Sequence, residues 1–494
     1  MSATKSFVTA VAAPQLSDPS LFRQEAFINN EWVNKPQTFA VEDPATGQEI
    51  GRVPEMDGED ARVAIKAAAD AFKTWSKTTG KQRHDLLKKW YDAIMANQED
   101  LAKILTWENG KTLTEARGEI AYGASFYEWF AEEAVRTYGT TIPSPMPGQR
   151  YVTIKQPVGP VGIILPFNFP NAMLTRKVGA ALAAGCTVVI KPGAEVPYSA
   201  LALCELAKRV GIPAGVVNII TTLDNAAEIG TELCTNPSIK KISFTGSTAV
   251  GKLLVKQSSS TMKKVSMELG GNAPFIVFDD ADIDAAVEGA LASKFRGTGQ
   301  TCVCANRIYV QRGVYDEFAA KLAAKVNEFK VGHGFEPDTT HGPLINHRAV
   351  EKVQRHLDDA VSKGGKIIAG GKALGGNFFE PTVVTGMTND MQIAKEETFG
   401  PIAGLFTFDT EEEIIERANN TPFGLAAYFY SRDVGRVWRV SEQLESGMVG
   451  ANSGIISSCY APFGGVKESG LGREGSHLGI EDYVNVKYIN MGGI

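Results

Sequence analysis

The sequence predicts an α/β protein with two lobes. Short β-rich runs alternate with helical stretches from about residue 158 to 245, and a second alternating region begins near Gly271. This alternation is typical of βαβ units, in which a parallel sheet carries helices on both faces. At 494 residues, the chain is long enough for two or three domains. We place the lobe boundary at residues 268–271, where a glycine pair between two strands makes a natural hinge.

The elements of the first lobe follow from the spacing of apolar residues. A β-like segment covers residues 26–33, and helical periodicity follows at about 60–75, 81–96 and 113–136. The alternating region then predicts strands near 161–165, 187–190, 216–220 and 241–244, with helices between them that include residues 180–182 and 199–209. In such a sheet, ligands bind at the carboxyl ends of the strands.

The second lobe repeats this pattern, and two segments stand apart from both lobes. Strands are predicted at 274–278, 308–310 and 401–408, and helices at 282–295, 316–329 and 410–418, with Asp280 or Asp282 as an N-cap. Residues 150–156 and 483–489 alternate between apolar and polar side chains but belong to neither lobe. We expect them to pair with each other and, at an exposed edge, with another subunit.

Composition argues against several classes of protein. Charged residues make up 21% of the chain and the net charge is −6, so no basic surface for nucleic acid or an anionic membrane is expected. No apolar run approaches the roughly 20 residues that span a bilayer. Residues 1–19 lack the features of a signal peptide, and we interpret them as a short mobile arm, with an organelle presequence still open. Six cysteines in so long a chain suggest a reducing, cytoplasmic compartment, and the six histidines show no metal-ligand spacing, so no metal site is predicted.

Cys302 is the strongest candidate for a reactive group. It lies between a helical stretch and a strand, and Gly297 and Gly299 permit unusual backbone angles just before it. A cysteine nucleophile needs a lowered pKa or a base, which Glu268 could supply, while the Asn168 amide could act as a donor. Each residue also has a plainer interpretation. Cys302 could be a buried structural cysteine, Glu268 a solvated glutamate and Asn168 a helix cap.

Two strand ends could hold a phosphate-containing cofactor. Residues 246–251 follow a strand and open a helix, where backbone N–H groups suit a phosphate. The segment is not GxGxxG, however, and fits a glycine-tolerant turn equally well. Lys191 ends another strand and could reach ribose hydroxyls or phosphate, although a solvated turn lysine is an alternative.

Five motifs in order resemble the NAD(P)-dependent aldehyde dehydrogenase superfamily. They are Pro166-Phe167-Asn168-Phe169-Pro170, Phe244-Thr245-Gly246-Ser247-Thr248, Glu268-Leu269-Gly270-Gly271, Gly299-Gln300-Thr301-Cys302 and Glu396-Glu397-Thr398-Phe399-Gly400-Pro401. The resemblance runs from about Leu21 to the C-terminus, and residues 299–307 and 462–475 are most similar to succinate-semialdehyde dehydrogenases. It implies an aldehyde dehydrogenase-like fold with a Rossmann-type cofactor domain (1–138 and 158–268), an α/β catalytic domain (269–475) and a small β oligomerisation module (139–157 and 476–494), usually in dimers or tetramers.

The resemblance also implies a chemistry, the oxidation of succinate semialdehyde to succinate in 4-aminobutyrate degradation. Cys302 would attack the aldehyde, and Asn168 with the Cys302 backbone N–H would hold the oxyanion. After hydride transfer to the nicotinamide, Glu268 would activate the water that hydrolyses the thioester. Lys177 would support proton transfer or cofactor placement, and Glu397 would hold the nicotinamide ribose. The implied cofactor contacts are Lys191, Ala194, Gly246, Ser247, Gly251, Leu269, Gly270, Glu397 and Phe399.

Two positions depart from the family pattern. Phe167 stands where the family usually has Trp, which should alter the substrate pocket more than the chemistry. Ala194 stands where NAD-preferring members often have a glutamate, and Glu195 lies one step along. Because a carboxylate there would repel a 2′-phosphate, we expect NADP, with NAD still open if Glu195 turns inward.

Three further positions set the expected substrate. Arg176, Arg296 and Ser457 resemble the residues that bind the distal carboxylate in succinate-semialdehyde dehydrogenases, although an arginine can also serve a structural ion pair. Glutarate semialdehyde and general aliphatic aldehydes remain alternatives. A cysteine hydrolase would need a histidine near Cys302, which the motifs lack; a CoA-acylating enzyme would not need Glu268; and a non-catalytic scaffold would need none of these groups.

Cys304 is predicted to act as a redox partner of the nucleophile. A Cys302–Cys304 disulfide would block the nucleophile, and its short spacing would make it strained and easily reduced.

Overall fold

Two large sheets and one small sheet organise the chain. The computed structural model describes residues 7–8 and 12–493, so residues 1–6 and 9–11 of the predicted arm lie outside the described residues. The end of that arm is held in place, because the Ser17 and Asp18 N–H groups donate to the Asp100 carboxyl at 2.9 and 2.8 Å. The helices are α1 (Gly58–Trp75), α2 (Gly80–Ala96), α3 (Gln98–Asn109), α4 (Leu113–Ala134), α5 (Pro170–Ala184), α6 (Pro197–Arg209), α7 (Ala226–Thr235), α8 (Thr248–Ser258), α9 (Ile283–Lys294), α10 (Tyr315–Val326), α11 (His347–Ser362), α12 (Gln392–Lys395), α13 (Glu411–Asn419), α14 (Val434–Gln443) and α15 (Leu478–Glu481).

The strands alternate with these helices over most of the chain. They are β1 (Ala26–Ile28), β2 (Glu31–Val33), β3 (Thr38–Glu42), β4 (Glu49–Pro54), β5 (Thr141–Ile142), β6 (Gln149–Pro157), β7 (Val161–Ile164), β8 (Val188–Lys191), β9 (Val217–Ile219), β10 (Lys241–Thr245), β11 (Lys264–Glu268), β12 (Ala273–Val277), β13 (Ala305–Gln311), β14 (Lys366–Ala369), β15 (Ala373–Gly375), β16 (Phe378–Phe379), β17 (Thr382–Thr385), β18 (Ile402–Phe408), β19 (Phe423–Gly424), β20 (Ala426–Tyr430), β21 (Met448–Ala451), β22 (Val466–Lys467), β23 (Gly470–Leu471) and β24 (Val484–Gly492).

The predicted α/β alternation is confirmed in both large sheets. The first has the order β2-β1-β9-β8-β7-β10-β11-β23, and its five central strands are parallel. The second has the order β14-β17-β18-β13-β12-β20-β21 and is parallel except for β14. The central strands read as continuous apolar runs because both of their faces are buried under helices.

The two segments outside the lobes pair with each other, as predicted. Strand β24 runs antiparallel to β6, and β5 completes a three-stranded sheet in the order β24-β6-β5. The chain crosses between the large sheets after Glu268, where β11 ends and β12 follows at Ala273. Near the end of the chain, β23 returns to the first sheet and pairs with Met267 and Glu268.

The segment at residues 26–33 corrects the sequence prediction of one β-like run. It is a hairpin of β1 and β2, because Asn29 and Asn30 adopt φ values of +55° and +60° and turn the chain back on itself. Asparagine tolerates this left-handed region and favours such tight turns. Asp282 caps α9 by accepting a hydrogen bond from the Ala285 N–H at 3.1 Å, as predicted, whereas α3 was not predicted at all.

Helices α3, α5, α6 and α7 of the first lobe begin without a side-chain cap of their own, and distant glutamates cap three of them. Helices α5, α6 and α7 are instead capped by buried glutamates from distant segments, which accept backbone hydrogen bonds at or just before the first turn. The glutamates and their N–H donors are Glu119 with Asn171 and Ala172, Glu108 with Tyr198 and Ser199, and Glu55 with Leu223, Asp224 and Asn225. Among the described helices, none is long and apolar enough to cross a membrane.

Candidate active site

The predicted nucleophile, base and amide donor come from three connections around the two large sheets. Asn168 follows β7, Glu268 ends β11, and Cys302 lies between the short helix Arg296–Gly299 and β13. Two of these positions are carboxyl ends of parallel strands, where α/β sheets place their ligands. The structure therefore brings residues from three separate motifs to one junction.

An unusual backbone path shapes the loop that carries Cys302. Gly297, Thr298 and Gly299 have φ values of +59°, +56° and +76°, so three successive residues are left-handed. This confirms that the two glycines adopt angles that other residues rarely allow, and Thr298 is held there by a 3.0 Å hydrogen bond from Oγ1 to the Gly342 carbonyl. A side chain at Gly299 would place its Cβ 2.3 Å from the Gly400 carbonyl oxygen.

The Asn168 side chain points at the same loop. Its Nδ2 donates to the Gln300 carbonyl at 2.9 Å, and its buried Oδ1 has no hydrogen-bond partner in the described part of the chain. Asn168 does not cap α5, whose N-cap residue is Phe169. The buried Asn168 amide thus donates an N–H to Gln300, which lies two residues before Cys302.

Burial raises the pKa of both Cys302 and Glu268. Burial, together with the carboxyls of Glu268 and Glu397 and against the charge of Arg176, raises the pKa of the Cys302 thiol to about 12. Burial likewise raises the pKa of Glu268 well above its ordinary value, and the Glu474 carboxylate adds to the rise. Both groups are therefore harder to ionise than ordinary cysteine and glutamate side chains.

Glu474 is a site residue that the sequence did not single out. Its two oxygens bind neighbouring cations on α5, Lys177 at Oε1 and Arg176 Nε at 2.7 Å from Oε2. Burial alone would raise the pKa of Glu474, but Lys177 and Arg176 together hold it below its ordinary value. Glu474 lies within residues 462–475, yet no local pattern links it to Lys177, which is 297 residues away.

The three residues predicted to bind an acid group surround one phenol, that of Tyr122. Burial raises the pKa of Tyr122, while the charges of Arg176 and Arg296 and the nearby Ser457 side chain oppose the rise. The Tyr122 hydroxyl is buried and has no hydrogen bond of good geometry within the described residues. Tyr122, on α4, was missed because a tyrosine among helical apolar residues looks like an ordinary core residue.

The two arginines differ in how they are held. Arg176 is 1% exposed and lies 4.1 Å from the centroid of the Phe463 ring, and its Nη2 has no hydrogen-bond partner in the described structure. Arg296 is half-buried over the Phe169 ring at 5.5 Å and forms no ion pair with the described residues. Both guanidinium groups therefore keep N–H donors available for an anion.

The turn at residues 246–251 has free donors suited to a phosphate. Helix α8 begins here, and the backbone N–H groups of Ser247, Thr248 and Ala249 donate to no group in the described residues. The Gly246 N–H donates to the Glu268 carbonyl at 3.0 Å, which ties this turn to the strand that carries the base. Gly251 is required for packing, since a Cβ there would lie 2.4 Å from the Leu269 side chain.

Several other predicted cofactor residues lie together opposite this turn. The Gly271 N–H donates to Glu397 Oε1 at 3.2 Å, and a Cβ at Gly270 would lie 3.2 Å from Glu397 Oε2. Phe399 is left-handed, with φ of +55°, and its ring packs edge-on against Phe167 at 5.9 Å. Phe167, predicted to line the substrate pocket, is thus in contact with Phe399, predicted to bind the cofactor.

The predicted nucleotide-selecting residues lie at the end of β8. Lys191 is the last residue of that strand, and burial lowers its pKa while Glu195 and Glu55 oppose the fall. Ala194 is partly buried against the core of the first lobe, and Glu195 forms no hydrogen bond or ion pair in the described part of the chain.

Cys304, two residues after Cys302, is a free and buried thiol. Its Sγ donates to the Lys294 carbonyl at 3.4 Å, and burial raises its pKa. Its predicted redox role stays a prediction.

Comparison with known proteins agrees with these motifs. A sequence model of the aldehyde dehydrogenase family matches residues 32–489. The chain is 57% identical over 484 residues to a 3-sulfolactaldehyde dehydrogenase of Pseudomonas putida, covering 97% of this chain and 99% of that protein. It is 58% identical to a glutarate-semialdehyde dehydrogenase of Pseudomonas putida (96% and 99% covered) and 55% identical to the NADP(+) succinate-semialdehyde dehydrogenase of Escherichia coli (97% and 100% covered).

The fold agrees as well. The crystal structure of a succinate-semialdehyde dehydrogenase from Burkholderia pseudomallei superposes with a TM-score of 0.96 at 57% identity, covering 97% of this chain and 100% of that one. The predicted aldehyde dehydrogenase-like fold is therefore confirmed, and the chain belongs to the aldehyde dehydrogenase family of oxidoreductases.

Proposed function

We propose that the protein oxidises succinate semialdehyde to succinate with a nicotinamide cofactor, preferring NADP to NAD. In general terms, the substrate is a short aldehyde with an acid group at its far end. The observation that carries this proposal is the cluster of Arg176, Arg296 and Ser457 around the unpartnered Tyr122 hydroxyl, beside the Cys302 thiol.

The first step is attack by sulfur on the aldehyde carbon. As the Cys302 sulfur–carbon bond forms, the S–H bond breaks and its proton passes to water, while the carbonyl π electrons move to the oxygen and create an oxyanion. Asn168 Nδ2 has two N–H groups: one donates to the Gln300 carbonyl, and the other is available for this oxyanion. The Cys302 backbone N–H, which donates to no described group, is the second donor. Because these donors are already in place, little reorganisation is needed when the charge develops.

The cofactor fits the residues around the attack site. When bound, it supplies the nicotinamide ring that takes two electrons and a hydrogen from the substrate carbon, which leaves a thioester on Cys302. The free N–H groups of Ser247–Ala249 are suited to hold its phosphates, and the Glu397 carboxyl its ribose hydroxyls. Lys191 would contribute an ammonium at the neighbouring strand end.

Glu268 then acts as the general base for hydrolysis. It removes a proton from water as the water oxygen attacks the thioester carbon, and the thiol leaves as the acid product forms. A carboxyl whose pKa burial has raised is a stronger base once it is ionised. The Lys177–Glu474 pair lies close enough to Glu268 to perturb its pKa, and we assign to Lys177 the support of this proton transfer.

The distal pocket favours an anionic substrate. Two guanidinium groups with available donors, a serine and a phenol can all bind a carboxylate or sulfonate, and charge-assisted hydrogen bonds are the strong ones. The three curated relatives are named for succinate semialdehyde, glutarate semialdehyde and 3-sulfolactaldehyde, and each of these aldehydes carries an acid group. Their similar identities keep glutarate semialdehyde as the second candidate.

The preference for NADP rests on one position. Ala194 offers no carboxylate to repel a 2′-phosphate, and Lys191 adds a nearby positive charge. The Escherichia coli relative named for NADP(+) supports the same choice.

Steady-state oxidation of an aldehyde panel tests the proposal. The absorbance of the reduced nicotinamide is followed with succinate semialdehyde, glutarate semialdehyde, 3-sulfolactaldehyde and neutral butanal, each with NADP and with NAD. We expect kcat/KM to be highest for succinate semialdehyde with NADP. Equal values for butanal and the acid aldehydes would overturn the acid pocket.

The variant Arg296→Gln tests how much the distal pocket contributes to binding of the acid group. Because Arg296 forms no ion pair with the described residues, the change leaves none of their charges uncompensated, and we expect KM for succinate semialdehyde to rise about 10- to 100-fold. KM for butanal should stay the same. Arg348→Gln, at an exposed arginine on α11, is the matched control and should leave both values unchanged. Equal rises for the two aldehydes in Arg296→Gln would contradict the assignment.

A further inference from the structure

A buried lysine outside the predicted motifs holds the loop of the amide donor. Lys111 follows the left-handed Gly110 that ends α3, and both Lys111 and Glu119 are buried, at 5% and 3% exposure. The Lys111 Nζ forms an ion pair with Glu119 Oε2, and it donates to the Asn168 backbone carbonyl at 2.8 Å. It also lies 4.2 Å from the centroid of the Phe169 ring.

Glu119 extends this contact to the helix beyond the loop. Its other oxygen, Oε1, accepts hydrogen bonds from the N–H groups of Asn171 at 3.0 Å and Ala172 at 3.2 Å, in the first turn of α5. On the other side of Asn168, Asn109 Nδ2 donates to the Phe167 carbonyl at 2.8 Å. The α3–α4 connection therefore fixes the backbone before, at and after Asn168.

The same region of α4 also holds the nucleophile loop. Glu115 Oε1 accepts a hydrogen bond from the Gly297 N–H at 2.8 Å, at the start of the left-handed stretch that leads to Cys302. Asn168 and Cys302 lie in loops that are far apart in sequence. The first two turns of α4 hold both regions, because Glu119 binds the start of α5 and Glu115 binds Gly297. The relative position of the amide donor and the sulfur depends on this support.

We propose that Lys111, together with Glu119, is a positioning residue that sets the Asn168 amide for the oxyanion. This rests on the proposed role of Asn168 as the oxyanion donor. Displacement of a donor by about 1 Å can cost on the order of 100-fold in rate, since the hydrogen bond must reach the oxyanion and not the ground-state carbonyl. Besides Glu119 and the Phe169 ring, the Lys111 ammonium contacts the backbone carbonyl of Asn168, so its effect on the oxyanion is exerted through Asn168.

A double-mutant cycle on kcat tests the inference. The four proteins are the wild type, Lys111→Met, Asn168→Ala and the double variant, assayed with saturating cofactor and aldehyde. We expect Lys111→Met to lower kcat about 10- to 100-fold in the wild-type background. In the Asn168→Ala background, the same change should cost less than about threefold, because the donor that it positions is already gone.

Two further measurements separate positioning from general damage. The cofactor Kd should be unchanged in Lys111→Met, and so should the rate at which iodoacetamide alkylates Cys302, since alkylation builds no oxyanion. Lys103→Met is the matched control, because Lys103 on α3 also donates to a backbone carbonyl, that of Gln15 at 2.8 Å, away from the site. If Lys111→Met does not fold, Glu119→Gln takes its place in the same cycle, since it removes the ion pair but keeps an oxygen for the α5 N–H groups.

The outcomes distinguish this inference from the function on which it rests. Equal fold-losses of kcat in both backgrounds, or an unchanged kcat in Lys111→Met, would overturn the positioning role while leaving the oxyanion assignment intact. A slower alkylation that parallels the loss of kcat would also overturn it. An Asn168→Ala variant with unchanged kcat would overturn the oxyanion assignment itself, and the inference with it.

Discussion

At the scale of single residues, the site combines a nucleophile and a base whose surroundings both oppose ionisation. Burial and the Glu268 carboxyl oppose ionisation of the half-buried Cys302 thiol, and burial and the Glu474 carboxyl oppose ionisation of Glu268. A neutral thiol is protected from unwanted oxidation and alkylation, because only the thiolate reacts. The same burial strengthens the interactions that the reaction later uses.

The pH dependence of Cys302 alkylation follows from this arrangement. Because the pKa of the thiol is raised to about 12, the thiol stays protonated below that pH and the thiolate fraction grows as the pH rises. We expect the rate with iodoacetamide, in the absence of cofactor, to rise about tenfold per unit from about pH 7 to about pH 10. Mass spectrometry of the peptide that carries Cys302, with Cys302→Ser as control, assigns the reaction. A plateau near about pH 8.5, where an ordinary thiol titrates, would contradict the burial argument.

At the scale of secondary structure, three helices depend on carboxylates supplied from elsewhere in the chain. Helices α5, α6 and α7 lack caps in their own sequence, and Glu119, Glu108 and Glu55 provide them from the N-terminal third. Burial raises the pKa of Glu108 to about 8, so this side chain serves α6 as a hydrogen-bond acceptor more than as a full charge. These carboxylates therefore join the N-terminal helices to the sheet that carries the site.

Glu108→Ala should measurably destabilise the fold. The variant leaves the N–H groups of Tyr198 and Ser199 buried without partners, which costs about 2–4 kcal/mol and should lower the thermal midpoint by several degrees. Glu99→Ala is the matched control on the same helix, α3, because Glu99 makes only an exposed ion pair with Arg117. That pair contributes at most about 1 kcal/mol. Similar falls in the midpoint for both variants would contradict the capping role.

The sequence predicted those helices and strands that are determined by residues within or next to them. Strands such as β8 are buried on both faces and therefore appear as short apolar runs, and Asp282 caps the helix next to it. The hairpin at Asn29 and Asn30 was missed because one run of β-forming residues hides a turn that only the backbone angles reveal. Asparagine pairs permit such a turn without requiring it.

From the sequence alone, only those site residues that lie in recognisable motifs could be predicted. Cys302, Glu268 and Asn168 lie in short recognisable segments, but their partners are fixed by contacts between distant parts of the chain. Glu474 lies 297 residues from Lys177, and Lys111 reaches the Asn168 loop across 57 residues. No periodicity or spacing encodes such pairs, so the support of the site emerges only from the packed structure.

At the scale of the whole molecule, the small sheet stands out because one edge has no partner. Strand β24 pairs with β6 on one side only, and no strand in the described residues covers its other side. Val486 and Tyr488 lie on one face of β24 and are 64% and 54% exposed. A long unpaired edge with exposed apolar side chains is a feature that proteins cover, most often with a second copy.

Charges on this face should weaken self-association. We expect the wild type to form dimers or tetramers, and the double variant Val486→Asp, Tyr488→Asp to shift towards smaller species in light scattering coupled to size-exclusion chromatography. Each apolar side chain buried in an interface contributes roughly 1.5–3 kcal/mol, and a buried unpaired carboxylate costs more than that gain. Val63→Asp is the control, because Val63 is also half exposed, at 51%, but lies on α1 away from the small sheet. If both proteins kept the mass of the wild type, or if Val63→Asp dissociated equally, β24 would not be the assembly edge.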